Sequence, residues 1–238
     1  GGERVSGEQT LTACAIIEES SGETRIEQRQ FGGFKKDRRA LAAWAAALEP
    51  DGVVMESTGS YWKSPYAALA AVGIRATVVN ARHVKQVPGR KTDVGDAQWL
   101  ATLARAGLLR GSFVPPAKLR ELRVISRQRQ KLVGLLSSEK NRMHKVLTDA
   151  GIRLGVAVSD IHGQSARAMI KALLNGQPAH EVVQLASRRL KASREELHDA
   201  LQGELTASHV FVLGELLRHI EELEASIARF DDRLLCEL

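Results

Sequence analysis

The chain of 238 residues carries 34 Lys and Arg against 28 Asp and Glu, a formal charge of +6 with a pI near 9.5, which favours a polyanionic partner. No stretch approaches the roughly 18 uninterrupted apolar residues of a membrane span, and the polar residues 1–10 show no signal peptide. Cys14 and Cys236 stand far apart with no Cys/His cluster, which excludes a disulfide framework or a zinc cage and fits a cytoplasmic chain.

Residues 10–17 (TLTACAII) form a short β-prone run, Gly22 marks a turn, and residues 24–31 alternate charged and apolar as a hairpin partner would. The Ala-rich residues 36–48 read as a helix that stops before Pro50. GVVME at 52–56 reads as a buried strand ending in a carboxylate, 66–72 as a short helix closed by Gly73, and 74–79 as a further strand. Such alternation predicts a mixed α/β layer structure. Residues 93–106 read as a helix, and the Pro115-Pro116 pair then breaks the chain. Beyond it the pattern is helical throughout: a long amphipathic stretch over 118–150, shorter helices over 166–174, 182–190 and 194–203, and a final seam. In that seam Val210, Leu213, Leu217, Ile220, Leu223, Ile227, Phe230 and Leu234 advance in steps of three or four, as in a coiled coil. The expected organisation is an α/β domain over 1–115 and an all-α, partly coiled-coil region over 116–238.

Three acids draw attention. Glu56 ends a strand and enters the turn-forming Ser57-Thr58-Gly59-Ser60; Asp93 and Asp96 stand three apart at an expected helix start, where both can project from one face. Hard divalent cations such as Mg²⁺ take clustered oxygen ligands, and nucleases use them to activate the attacking oxygen and stabilise the leaving one. The structural alternative is that Asp93 caps the helix and Asp96 favours the positive end of its dipole; spacing alone leaves both readings open.

The surrounding words are more specific. TLTACAI at 10–16, VVMESTGSYW at 53–62, VVNARHVKQVPGRKTDVGDAQWLATL at 78–103, GLLRGSFVPPAKLRELR at 107–123 and NRMHKVLTDAGIRLGVAVSDIHGQSARAMIKALLNG at 141–176 together resemble the DEDD transposases of insertion sequences, the family of bridge-RNA-guided recombinases and pilin-gene invertases. The resemblance implies a RuvC-like (ribonuclease H-like) mixed sheet with flanking helices, and Glu56, Asp93 and Asp96 as catalytic Mg²⁺ ligands. It also implies DNA and a structured guide RNA as partners. Lys91 and Thr92 precede the aspartate pair in the family manner. Two departures stand against it: the family's first aspartate falls at Val5 on a count without gaps, with only Glu3 or Glu8 nearby, and its serine-bearing C-terminal domain has no counterpart up to Leu238. No serine here is therefore assigned a catalytic role.

Charge is concentrated between Arg82 and Lys145, where fifteen cations meet four acids, a local +11 in a chain of +6. The expected nucleic-acid contacts are Arg82, Lys85, Arg90, Lys91, Lys118, Arg120, Arg123, Arg127, Arg142 and Lys145, since cations that neutralise phosphates release counterions. Tyr61 and Trp62 are candidates to stack on bases, whereas the helical phase of Trp99 points to core. The C-terminal seam fits packing within the chain or against a second copy, and the family's multimeric assembly favours a homodimer. The expected function is a Mg²⁺-dependent DNA transposase or recombinase guided by RNA; the alternative is a catalytically silent nucleic-acid-binding module of the same fold.

Overall fold

The computed structural model describes residues 10–57, 59–87 and 95–237, and its contacts divide the chain into two units, Gly1–Val114 and Pro115–Leu238. In the first, β1 (Leu11–Glu18) and β2 (Thr24–Phe31) pair antiparallel from Leu11↔Phe31 to Glu18↔Thr24. Helix α1 (Lys35–Ala47) follows, with the Phe34 N–H donating to the Asp37 carboxylate at 3.1 Å. β3 (Val53–Ser57) and β4 (Ala76–Asn80) are parallel, from Val53↔Ala76 to Ser57↔Asn80. Parallel neighbours need a crossover, and α2 (Lys63–Ala71) supplies it. Gly73 closes that helix at φ 83°, a left-handed conformation open to glycine without a Cβ penalty.

Beyond β4 come α3 (Ala81–Gln86) and α4 (Asp96–Arg105), the latter lying on β1 and β3. This is a mixed α/β unit, as expected. Its described strands are hydrogen bonded as two separate pairs, β1–β2 and β3–β4, where one mixed sheet was expected. Each face of the parallel pair has its own apolar cluster: Leu69, Ala42 and Ala45 gather with Val53 and Met55 on one side, and Leu103 and Val84 with Val54, Val79, Trp99 and Leu100 on the other. Trp99 is thus a core residue, as its phase predicted.

The second unit is entirely helical among its described residues. α5 (Ala117–Asp149) begins directly after Pro116, whose missing N–H costs nothing at a helix start. α6 (Leu154–Ala157), α7 (Gln164–Leu174), α8 (Ala179–Val182), α9 (Arg194–Ala200) and α10 (Ala207–Glu237) complete it. α5 and α10 form an antiparallel hairpin, because Asp149 meets His209, Glu139 meets His219 and Arg129 meets Asp231. At its closed end Met143 and Leu147 pack with Met169, Ile170, Leu213, Leu217 and Ile220 in one buried cluster. Further along, Leu122, Ile125, Leu132, Ile227, Phe230 and Leu234 are only half-buried, as a seam covered by two helices alone must be. The apolar face of α10 is therefore used inside the chain.

One expected helix is displaced. Instead of spanning 182–190, α8 starts at Ala179 behind its N-cap Pro178 and runs into a 3₁₀ turn at Val183–Leu185, and the chain leaves helical geometry at Ala186. Ser187 explains the stop: its N–H donates to Ser165 Oγ of α7 at 2.9 Å, a long-range bond that replaces the next helical one. α9 ends at Ala200 rather than 203; its start follows the capping rule, Ser193 accepting from the Glu196 N–H at 3.1 Å and Glu196 from the Ser193 N–H at 2.7 Å.

A polar knot ties three of these helices together. Glu224 of α10 accepts from both terminal nitrogens of Arg167 at 2.7 and 2.6 Å and from Lys140 of α5 at 3.1 Å. The Arg167 hydrogen bond, foremost, lowers its pKa to about 2. A carboxylate whose folded pKa is depressed contributes stability at pH values above its unfolded pKa, and the contribution fades as pH falls toward 2. Glu224→Gln is expected to cost about 1–2 kcal/mol at pH 7, the modest end because a third of the carboxylate is open to water. Denaturant titrations at stepwise lower pH should show the gap between wild type and variant closing from about pH 4 downward.

Candidate catalytic and nucleic-acid site

Strand parity decides where Glu56 points. Val53 and Met55 belong to the cluster under α1 and α2, and Val54 to the cluster under α4; side chains alternate along a strand. Glu56 therefore shares the α4-facing side with Val54. It pairs in register with Val79, whose side chain is fully buried in that same cluster. Asp96 is the first residue of α4, the helix that lies on β3. One carboxylate at the carboxyl end of a parallel strand and another at the start of the helix covering that strand face are thus brought to one side of the sheet.

Of the expected aspartate pair, Asp96 is the member that the structure describes. Gly95 is an extended N-cap at φ −60°, ψ 150°, so the described part of α4 starts at Asp96. Gly95 makes no side-chain cap; a Cβ there would lie 3.5 Å from Gln28 Nε2 on β2, so the chain enters α4 close to the hairpin. Asp93, Arg90 and Lys91 lie outside the described residues, as do Glu3, Val5 and Glu8. Among the described residues no three His, Cys, Asp or Glu side chains gather as a cation cage.

The parallel register brings Ser57 beside Asn80 at the carboxyl ends of β3 and β4, the edge at which open α/β sheets characteristically bind ligands. Asn80 caps α3, its side chain accepting from the Arg82 N–H at 2.9 Å. That cap starts a helix from which Arg82 and Lys85 extend, both exposed, just beyond this edge. On the loop after β3, Tyr61 is 57% exposed, while Trp62 is half-buried with its ring edge-on to Tyr66 at 5.7 Å. Of the two aromatics, Tyr61 offers the free face.

Within the helical unit the expected cations separate into two kinds. Lys118, Arg123, Arg127 and Lys145 are exposed with no ion pair among the described residues. Arg120 is half-buried, one terminal nitrogen 3.3 Å from the Pro115 carbonyl, and Arg142 pairs with Glu139 at 2.9 Å. Glu139 is itself only 7% exposed, and its second oxygen faces His219 at 3.8 Å. A buried carboxylate left without partners is strongly unfavourable, so Arg142 serves the fold before it serves a ligand. Arg129 is likewise engaged with Asp231.

The first unit thus carries Glu56 near the end of β3 and Asp96 at the start of α4, and the second carries a long helix with exposed cations. Residues 6–152 match the DEDD-type IS110 transposase family, a span that takes in Glu56, Asp93, Asp96 and the whole of α5, and the chain belongs to that family. Comparison with curated proteins returned no match. Among the described residues no helix is long and apolar enough to cross a membrane.

Proposed function

We propose that this transposase cleaves and transfers DNA strands at the α4-facing edge of its α/β unit, in a RuvC-like site served by Mg²⁺ and directed by a structured guide RNA. The reading is supported by the strand parity that puts Glu56 on the α4-facing side of β3 and by Asp96 opening α4, within a chain of transposase ancestry. Both offer hard carboxylate oxygens, the donor type Mg²⁺ takes, and with Asp93 they are the residues that would hold it. The cation, when bound, supplies charge neutralisation at the scissile phosphate and an activated attacking oxygen. Arg82 and Lys85 draw the backbone toward that edge, and Tyr61 presents a ring to a base. Arg123 and Arg127, four apart on α5 and exposed, grip the phosphates of a duplex or of the guide. A homodimer through the C-terminal helix must use the half-open seam beyond Leu223 or the outer faces, since the closed end is filled by α5 and α7.

Labelled duplex DNA incubated with the chain in Mg²⁺ and in EDTA tests the reaction. Product in Mg²⁺ alone is expected; tight binding with no product under either condition would favour the silent binding module. Arg123→Ala combined with Arg127→Ala should flatten the dependence of log affinity on log salt by about 2. An unchanged slope in fluorescence anisotropy would remove α5 from the interface.

A further inference from the structure

The expected basic region ends at Lys145, yet the helical unit holds a second concentration of positive charge. From the residue after Ala186 to the first residue of α9, positions 187–194 read SRRLKASR, four cations and no acid. Arg188, Arg189, Lys191 and Arg194 are all exposed. Arg194 reaches only the neutral Gln184, and the side chains of the other three make no hydrogen bond or ion pair among the described residues.

Elsewhere this unit pairs many of its cations. Arg129, Lys140, Arg142, Arg167, Lys171 and Arg218 each meet a carboxylate within 3.1 Å. Four like charges close together repel one another, and although Glu195 and Glu196 follow directly, no carboxylate pairs with any of the four among the described residues. The loop is also held rather than loose. The Ser187 N–H is fixed to Ser165 of α7, the Arg189 N–H donates to Ser187 Oγ at 3.2 Å, and Ser193 closes a capping box with Glu196. Ala186, Leu190 and Ala192 pack inward against the buried cluster. Apolar anchors thus alternate with outward cations on a backbone pinned at both ends. Such ordering lowers the entropy lost when a polyanion is bound.

We infer that the 187–194 loop is a second contact for a nucleic-acid phosphate backbone, separate from the α5 cations. The chemistry recognises phosphodiester and not base sequence, because Lys and Arg on an exposed loop contribute charge and backbone hydrogen bonds. This rests on the nucleic-acid reading given above, and it extends the interface to a part of the helical unit outside residues 6–152.

The test is an anisotropy titration of the whole chain against a mixed-sequence DNA duplex and against an RNA hairpin with the same number of phosphates, at several KCl concentrations. The triple variant Arg188→Gln, Arg189→Gln, Lys191→Gln should keep its helical circular dichroism and melting midpoint, as none of the three holds an internal partner. Its salt slope should fall by about 1 for each phosphate no longer neutralised, so by up to about 3. A fall on both probes, or on one alone, supports the inference and in the second case names the loop's ligand as DNA or RNA. If wild type binds both probes, and the α5 double variant weakens binding while the loop variant matches wild type in affinity and slope, the loop inference is overturned and the nucleic-acid reading stands. If wild type binds neither probe, the underlying reading fails with it.

Discussion

Glu56→Ala is expected to reduce Mg²⁺-dependent DNA cleavage by more than about 100-fold while leaving duplex binding within a few-fold of wild type. Loss of a residue that merely supports a metal ligand lowers metal affinity or activity by about 10–100-fold, and Glu56 is proposed as a ligand itself. Its backbone is secured independently: β3 pairs along its whole length with β4, and Val53, Val54 and Met55 anchor both faces. Removing the carboxylate should therefore delete chemistry without deleting the strand. Asp96→Asn supplies the sharper comparison, because Asp96 also stands in the first turn of α4, where a negative charge is worth about 0.3–1 kcal/mol against the helix dipole. A cleavage loss on the scale of Glu56→Ala with only a small change in melting would assign the carboxylate to the cation. A melting change with cleavage intact would return it to a structural role and dismantle the proposed site.

Much of this architecture is legible because local rules and tertiary packing agree. The apolar run at 52–56 becomes β3 shifted by one residue, and Gly73 closes α2 with the left-handed turn its position suggests. The helix read over 93–106 is seen as α4 from Asp96 onward, because Gly95 takes the extended geometry of an N-cap. α3 escapes a reading by pattern although its signals are present: Asn80 is a good cap and Pro88 a good stop, yet six residues carry too little periodicity to stand out. The 182–190 helix fails because its terminator is a bond from Ser187 to Ser165, twenty-two residues away, which no local pattern encodes. The second basic cluster is in plain view as RRLK, but it is short and lies well beyond the dense run of cations that ends at Lys145. What periodicity cannot say at all is which partner fills the α10 seam, since an apolar stripe looks the same whether its cover comes from the same chain or another.

The seam can be resolved by comparing two truncations of one residue type. Ile220 is fully buried among Met143, Met169 and Leu217, and Ile220→Ala should destabilise the chain by about 2–5 kcal/mol, the lost transfer energy plus a cavity that three surrounding helices cannot close. Ile227 lies two turns further along the same stripe but only half-buried. Part of its surface is already wet, no enclosed cavity forms on truncation, and Ile227→Ala should cost about 1–2 kcal/mol. Denaturant midpoints for both variants, measured over a range of protein concentrations, read the difference. The unequal costs are what a self-contained two-helix arm demands. Should Ile227→Ala prove as damaging as Ile220→Ala, with a penalty that grows as the protein is concentrated, the far end of the seam must be covered by a second chain, and the homodimer acquires a definite address between Ile227 and Leu234.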